Sequence, residues 1–413
     1  MKMNWKPLNN SLLATAAILM LFSCSKDIKQ TPEAIKANDQ IVSDNNNGAI
    51  ITDQYIVVFE DGTISQRVDQ KKAFDEQAME AISASADIIQ SVGLKETSII
   101  RAMSHAIEAV VIQSSATEID KLRSDKRVKY IEPDRMVMLA PPPGKGKGGG
   151  GDGGSSSQQT PYGITRVGGA VDATGKTAWI LDSGIDLDHP DLNVDQARSR
   201  TFFTSGKDAK SADDGNGHGT HCAGTVAAKD NNIGVVGVAA NATVVAVKVL
   251  DSRGSGSYSG VIAGVNYVKA TASAGDVANM SLGGPISQAL DDAIISAAQS
   301  GIFFALAAGN EGQHAGNSSP ARVNHPRVFT ISAMNSNDQW ASFSNFGNPP
   351  VDYCAPGVSV LSTWKGGGYN SISGTSMAAP HAAGILLVSN GNPQSQGFVS
   401  GDPDGNADPI MVH

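Results

Sequence analysis

Thr177-Ala178-Trp179-Ile180-Leu181-Asp182-Ser183-Gly184 is a short apolar run that stops at an aspartate and a glycine turn. Such a run, bounded by turn residues, reads as a strand buried on both faces in a parallel sheet covered by helices. Ile302 to Ala308 repeats the pattern and stops at Gly309-Asn310. In open parallel sheets ligands gather beyond the carboxyl ends of the strands, which is where Asp182 and Asn310 fall. Asn216-Gly217-His218-Gly219-Thr220-His221 adds an imidazole, and Gly374-Thr375-Ser376-Met377-Ala378-Ala379-Pro380-His381 sets a serine among small residues just ahead of a helical run. A serine hydroxyl barely ionises at neutral pH. It attacks a carbonyl only when an imidazole takes its proton and a carboxylate holds that imidazole in the right tautomer. Asp182, His218 and Ser376 supply those three groups.

Each segment alone has a plainer reading. Asp-Ser-Gly is common turn chemistry. His218 and His221 stand three apart with no glutamate between them, unlike a helical zinc pair at i and i+4, so His221 reads as structural, as does His381. Cys222 lies four residues after His218 and shares its face if the segment is helical; otherwise it is a small buried hydrophobe. Cys354 and Cys222 are either both free or paired, and the sequence leaves both open.

The chain order Asp, His, Ser is that of subtilisin, and from Pro161 to about Ser389 the chain resembles the subtilases. His218-Gly219-Thr220-His221-Cys222-Ala223-Gly224 resembles the motif of their proteinase K-like branch. The resemblance implies an α/β fold with a subtilisin-like parallel sheet flanked by helices, and a serine endopeptidase needing no cofactor for catalysis. Asp182 would orient His218, His218 would act as base and then acid, and Ser376 would be the nucleophile. Asn310, in Ala307-Ala308-Gly309-Asn310, would donate to the oxyanion beside the backbone N–H of Ser376. This amide also separates the chain from the acid-adapted sedolisins and points to activity near neutral pH. Cys222 would be free and confer sensitivity to mercurials. The rival reading, a catalytically silent protein that keeps the fold to capture peptides, would usually lose a triad member, and none is missing.

Subtilases add an extended peptide as a strand between two segments, matched here by Gly254 to Tyr258 and Ser281 to Gly284. Gly256, Ser257 and Tyr258 would line one side, and Ser281, Leu282 and Gly283 the other. Ala308 and Gly309 would help wall an S1 pocket with no charge at its base, giving broad preference for apolar or aromatic P1 residues, with Tyr258 at the rim of S4. The same resemblance implies a structural calcium on Asp352 with the carbonyls of Pro326 and Val328; an aspartate capping a turn is the alternative.

The 413 residues, 40% hydrophobic, suffice for more than one packed domain, and a net charge of −9 gives no support for nucleic-acid binding. Three cysteines are too few for a disulfide framework. Residues 1–23 carry Lys2 and Lys6 and then an apolar run from Leu12 to Phe22, too short to span a bilayer but right for a signal-peptide core. Leu21-Phe22-Ser23-Cys24 resembles a bacterial lipobox, which implies lipid on Cys24; an ordinary cleavage site with an incidental cysteine is the alternative. The expectation is an exported protein, anchored at the cell envelope as a precursor, whose mature domain is extracellular or periplasmic and monomeric.

Residues 24–52 are polar and read as a tether. Residues 53–139 read as βαββαβ, a small α+β ferredoxin-like domain: strand Gln54–Glu60, helix Gln66–Val92 closed by Gly93, two strands within Ser98–Gln113, a helix opened by the capping box Ser115 to Glu118, and strand Val128–Asp134. The domain, with its Ile131-Glu132-Pro133-Asp134 ending, resembles the inhibitor I9 propeptide of subtilases. That likeness implies an intramolecular inhibitor whose tail lies in the substrate cleft, hence a zymogen. Residues 140–160, rich in Pro, Gly and Ser, form a linker, and 161–413 form the catalytic domain. After Gly384 the last helix has only Ile385 to Val388 before Asn390-Gly391-Asn392-Pro393, so a thinner core is expected at that edge.

Overall fold

The computed structural model describes residues 47–139 and 157–413. The expected signal peptide, Cys24, most of the tether and most of the linker lie outside the described residues.

In the first domain, strands β1 (Ile50–Phe59), β2 (Ile99–Met103), β3 (Ala109–Gln113) and β4 (Val128–Met138) form an antiparallel sheet in the order β4-β1-β3-β2. Helices α1 (Phe74–Ser91) and α2 (Ala116–Leu122) complete the βαββαβ pattern. Ile88, Ile89, Ile119 and Leu122 are buried in one apolar cluster with Val57, Val110 and Ile112 of the sheet. Glu118 reaches back to Ser115, closing the expected capping box. The long helix is shorter than its periodicity suggests. After a single 3-10 turn at Ser65–Arg67, Asp69 accepts from Lys71 N at 3.0 Å, and Gln77 Nε2 donates to the carbonyls of Gln70 and Lys72. These local side-chain bonds satisfy the backbone in a turn and delay the helix to Phe74. Gly93, at φ +82°, ends it where the sequence placed the stop.

The second domain is built on a long sheet. Its strands β5 (Thr177–Asp182), β6 (Thr243–Lys248), β8 (Val277–Met280), β9 (Phe303–Ala307), β10 (Val328–Met334) and β11 (Val351–Pro356) run parallel in the spatial order β6-β5-β8-β9-β10-β11. A short strand β7 (Ser255–Ser257) lies outside this sheet. Helices α3 (His218–Ala227), α4 (Tyr258–Thr271), α5 (Gln288–Gln299) and α6 (Thr375–Val388) flank the sheet. Apolar residues of α3 and α6 cluster with Ala178 and Ile180 of β5, whereas those of α4 and α5 cluster with Trp179 and Leu181. Alternate residues of one strand thus point to opposite helical layers, which explains the unbroken apolar run in the sequence. The far edge is not simply thin. Residues beyond Pro393 form β12 (Gln394–Phe398) and β13 (Pro409–Val412), and β13 extends the parallel sheet beside β11.

The two domains share a sheet, because β4 pairs antiparallel with β7. Carboxylates of the Glu-Pro-Asp segment fix the rest of the contact. Glu132 accepts from Ser287 Oγ at 2.5 Å and from Gln288 N at 3.1 Å, at the N-terminus of α5. Asp134, fully buried, accepts from Ser259 N at 3.1 Å in the first turn of α4. A carboxylate at a helix N-terminus satisfies unpaired N–H groups and opposes the positive end of the helix dipole. Asn266 of α4 adds a third anchor, accepting from the backbone N–H groups of His105 and Ala106 at 2.8 and 3.0 Å.

Candidate active site

Asp182 ends β5 and His218 begins α3, and the close approach of those two ends brings them together. His218 Nδ1 lies 2.9 Å from each Asp182 carboxylate oxygen. A Cβ at Gly219 would sit 2.1 Å from the Gly184 carbonyl, so the approach requires glycine there. Asp214 organises the junction. It accepts from Ser183 Oγ, from Asn216 N and Gly217 N, and from both the N–H and hydroxyl of Thr220. Ser183 Oγ in turn accepts from Gly219 N at 3.0 Å. One buried carboxylate thereby ties the turn after Asp182 to the first turn of the His218 helix.

Ser376 lies in the first turn of α6, after Gly374, which adopts φ +152°. Pro380, four residues on, has no N–H to give the Ser376 carbonyl. That carbonyl instead accepts from Ser281 Oγ at 2.8 Å and from the Cys222 thiol at 3.5 Å. The Ser376 hydroxyl donates to the Ser281 carbonyl at 3.2 Å. Asn310 faces the same turn, where its Oδ1 accepts from Thr375 N at 2.9 Å and Thr375 Oγ1 at 3.0 Å. Two donors on that atom identify it as the amide oxygen and set the Nδ2 donor on the other side. Neither Thr375, Pro380 nor Asp214 is marked by spacing in the sequence; only their contacts reveal them.

Electrostatics distinguish His218 from the buried His221 and His381. Burial opposes charge on His218, but the Asp182 carboxylate and then Cys222 outweigh it and hold this imidazole well above its ordinary value. Burial pushes His221 down to about 3 and His381 to about 4, and each ring bonds a backbone carbonyl, Val360 and Met377 respectively. Both fill structural places, as expected. Cys222 Sγ is 4.0 Å from His218 Nδ1, so the i, i+4 geometry is realised, and burial raises its thiol. Cys222 and Cys354 are both buried and free, which decides against a bond between them.

Ser281, Leu282, Gly283, Ala307, Ala308 and Gly309 line a pocket beside Ser376, as the sequence suggested, but Glu311 lines it too. Glu311 is exposed, and Asn345 Nδ2 holds its carboxylate at 2.7 Å. Tyr258 follows the strand that pairs with the first-domain tail. It is 1% exposed, and its hydroxyl donates to the Pro285 carbonyl, tying together the segments on either side of the cleft. Gly256 and Ser257 pair with Val137 and Met136, so the cleft holds the chain's own first-domain tail.

Comparison with known proteins agrees with this arrangement. Residues 175–397 match the subtilase family, peptidase S8, and residues 54–140 match peptidase inhibitor I9. Alkaline serine exoprotease A of Vibrio alginolyticus is 38% identical over 376 residues, 88% of this chain, and the match spans 65% of that protein, just under two thirds. Subtilisin NAT of Bacillus subtilis subsp. natto is 40% identical over 324 residues, covering 76% of this chain and 77% of that protein. A cold adapted subtilisin-like serine proteinase of known crystal structure superposes with a TM-score of 0.54 at 39% identity, over 61% of this chain and 97% of its own. The chain belongs to the subtilase family of serine peptidases, with an inhibitor I9 domain ahead of its peptidase domain.

Proposed function

We propose that the protein is an exported, lipid-anchored serine endopeptidase made as an autoprocessed zymogen, with Asp182, His218 and Ser376 as its triad. The observation that carries the reading is the buried Asp182–His218 contact at 2.9 Å beside a cleft that ends at Ser376. Asp182 holds the imidazole with Nδ1 protonated, leaving Nε2 to take the Ser376 proton once that hydroxyl turns from Ser281. Ser376 Oγ then attacks the peptide carbonyl, and the oxyanion is held by Asn310 Nδ2 and the Ser376 N–H. His218 passes its proton to the departing amine, and water releases the acyl group by the same route in reverse.

Export and anchoring rest on the sequence of residues 1–24. Among the described residues no helix is long and apolar enough to cross a membrane, so the proposed attachment is the lipid on Cys24. Cys24 precedes the linker and the triad follows it, so the enzyme leaves its anchor once the linker is cut and the noncovalent grip of the inhibitor domain is lost. Ser376→Ala should stay at full length in the membrane fraction, whereas wild-type peptidase domain appears in the soluble envelope or extracellular fraction. Antibodies against each domain test this on fractionated cells; equal processing of both proteins would assign maturation to another enzyme.

For the substrate we propose apolar or aromatic P1 residues, supported by the alanines and glycines of the pocket walls, with Glu311 turning acidic P1 residues away. Turnover of peptide anilides with P1 Phe, Leu and Asp ranks these choices, and Asp cleaved as fast as Phe would overturn it. Asn310→Ala should lower kcat by roughly 10²–10³ with little change in KM, because the amide acts on the transition-state oxyanion. A loss confined to KM would make Asn310 a binding group instead.

The pH profile follows from His218. It must be neutral to accept a proton, and its raised value means that activity is lost as pH falls through a point above the ordinary 6.5. The acid limb of kcat/KM should therefore lie above that value, and a limb at or below it would contradict the role of the Asp182 charge.

A structural calcium at Asp352 fits in part. Burial, with Asp408 nearby, pushes this carboxylate up to about 6, and among the described residues no ion pair reaches it. One oxygen accepts from Thr330 N at 2.8 Å, and a cation on the other would relieve the buried charge, with Pro326 and Val328 offering the carbonyls. Calcium should raise the thermal midpoint of the wild type and leave that of Asp352→Asn unmoved. The same calcium response in both would remove Asp352 from the site.

A further inference from the structure

Strand β8, Val277-Ala278-Asn279-Met280, is buried throughout and carries one polar side chain among apolar ones. Val277 belongs to the apolar cluster with α3 and α6, whereas Ala278 and Met280 belong to the cluster with α4 and α5. Alternation along the strand therefore turns Asn279 to the α6 side, into a layer rich in alanine and valine. Its Oδ1 is buried without a hydrogen-bond partner. Such an oxygen has given up water and gained nothing in return, which costs stability. Stability alone does not account for an asparagine there.

Its amide nitrogen leads toward the nucleophile. Asn279 Nδ2 donates to Ser281 Oγ at 3.0 Å, and Ser281 Oγ donates to the Ser376 carbonyl at 2.8 Å. Chemistry fixes the sense of both bonds. A carbonyl oxygen only accepts, so the single hydroxyl hydrogen of Ser281 points to Ser376 and its lone pairs are left for the amide. Asn279 and Ser281 are both fully buried, so water does not compete for these bonds. Ser281 also holds the other side of the nucleophile, because its own carbonyl accepts from Ser376 Oγ at 3.2 Å.

Resting on the reading of Ser376 as nucleophile, we propose that the Asn279 amide and the Ser281 hydroxyl form a buried relay that aims Ser376 by holding its carbonyl. Both are positioning residues, acting through Ser376. In a regular helix that carbonyl would be held by the N–H four residues on. Pro380 has no N–H, so α6 itself does not fix this peptide plane. The Cys222 thiol, at 3.5 Å, is the weaker donor of the two that replace it. The Ser376 Cα joins the carbonyl, the Cβ bearing Oγ and the N–H proposed for the oxyanion, and tetrahedral geometry links their directions. A carbonyl free to swing takes the nucleophile and the oxyanion donor with it, and such misalignment is felt in turnover. Pairing of a peptide to the backbone of Ser281 to Gly284 uses neither side chain, so binding is left alone.

The test compares wild type, Ser281→Ala, Asn279→Leu and the double variant, each produced as the full chain and allowed to mature. The measurements are kcat and KM on a peptide anilide, the thermal midpoint, and labelling by phenylmethylsulfonyl fluoride followed by intact mass and peptide mapping. Ser281→Ala should lose roughly 10- to 100-fold in kcat, the scale of one buried hydrogen bond expressed at the transition state, with KM moved by less than about twofold. Asn279→Leu should lose less, because the hydroxyl stays but is no longer directed. The double variant should lose no more than Ser281→Ala, since the amide acts only through the hydroxyl. Asn279→Leu should also keep or raise the midpoint, because it removes the unpartnered oxygen, and this separates aim from folding. Unchanged kcat in Ser281→Ala, single losses that add in the double variant, or a kcat loss in Asn279→Leu accompanied by a lower midpoint would overturn the proposal. Should Ser281→Ala fail to mature, Asn279→Leu carries the comparison, and wild-type kcat in it counts against the relay. A sulfonyl label that falls elsewhere than Ser376 in the wild type sinks the reading of the nucleophile itself, whatever the variants do.

Discussion

The site depends on how closely the first turn of α3 approaches the end of β5. A histidine can be oriented by an aspartate only at hydrogen-bond distance, and two packed elements with ordinary side chains between them stand farther apart. Gly219, against the Gly184 carbonyl, removes the obstacle, and Asp214 supplies the attraction by gathering donors from both sides of the gap. Such a buried carboxylate is tolerable because its lone pairs are met by backbone N–H groups and hydroxyls. The third corner uses a different device. Proline in α6 removes one helical hydrogen bond, and the carbonyl it leaves is claimed by Ser281 and Cys222, which fixes Ser376 against the cleft wall.

This arrangement explains which parts were legible in the sequence. Triad candidates were visible because their chemistry restricts residue type, and strands β5 and β9 because burial on both faces forces an apolar run. The capping box at Ser115 and the glycine stop at Gly93 were visible because local backbone geometry writes them. What escaped was set by partners distant in sequence. Glu311 follows directly after the recognised Asn310, yet nothing local says that it turns toward the pocket; Asn345, brought in by the strand after it, decides that. The bond from the Tyr258 hydroxyl to the Pro285 carbonyl, which joins segments far apart in sequence, was likewise not legible. The delayed start of α1 is the converse case. Its apolar repeat extends back to Gln66, but Asp69 and Gln77 offer the backbone better bonds than a helix would.

Glu132 and Asp134 show how one short segment can serve two domains. Each leaves its own sheet to satisfy the first N–H groups of a helix in the other. Burial raises both carboxylates despite the bonds they accept. A carboxylate raised in the docked state binds protons more readily there than when released. Its contribution to docking is therefore largest at low pH and declines as pH rises through its docked value. These two groups consequently do not drive release on acidification. They favour letting go as the surroundings become less acidic, the same direction in which His218 loses its proton.

Holding the cleft with a strand creates a problem of selectivity that the flanking contacts resolve. Main-chain pairing to Ser255–Ser257 and Gly283 is open to any extended peptide, so the tail alone has no advantage over substrate. The advantage lies outside the cleft, in the carboxylates on α4 and α5, in Asn266 beneath the loop at His105, and in Phe74 edge-on to Tyr267 at 5.0 Å. While these contacts persist, the tail is held beside its pairing edges at a high effective concentration, and free peptides compete poorly. Cutting the linker alone does not remove this advantage, because each of these contacts joins a residue before the linker to one after it and does not depend on the covalent connection. The enzyme becomes open to substrate only when the whole inhibitor domain detaches or is itself degraded. Because Cys24 lies on the same side of the linker as the inhibitor domain, the proposed anchor release and activation both wait on that domain letting go, and the covalent cut is a precondition for each.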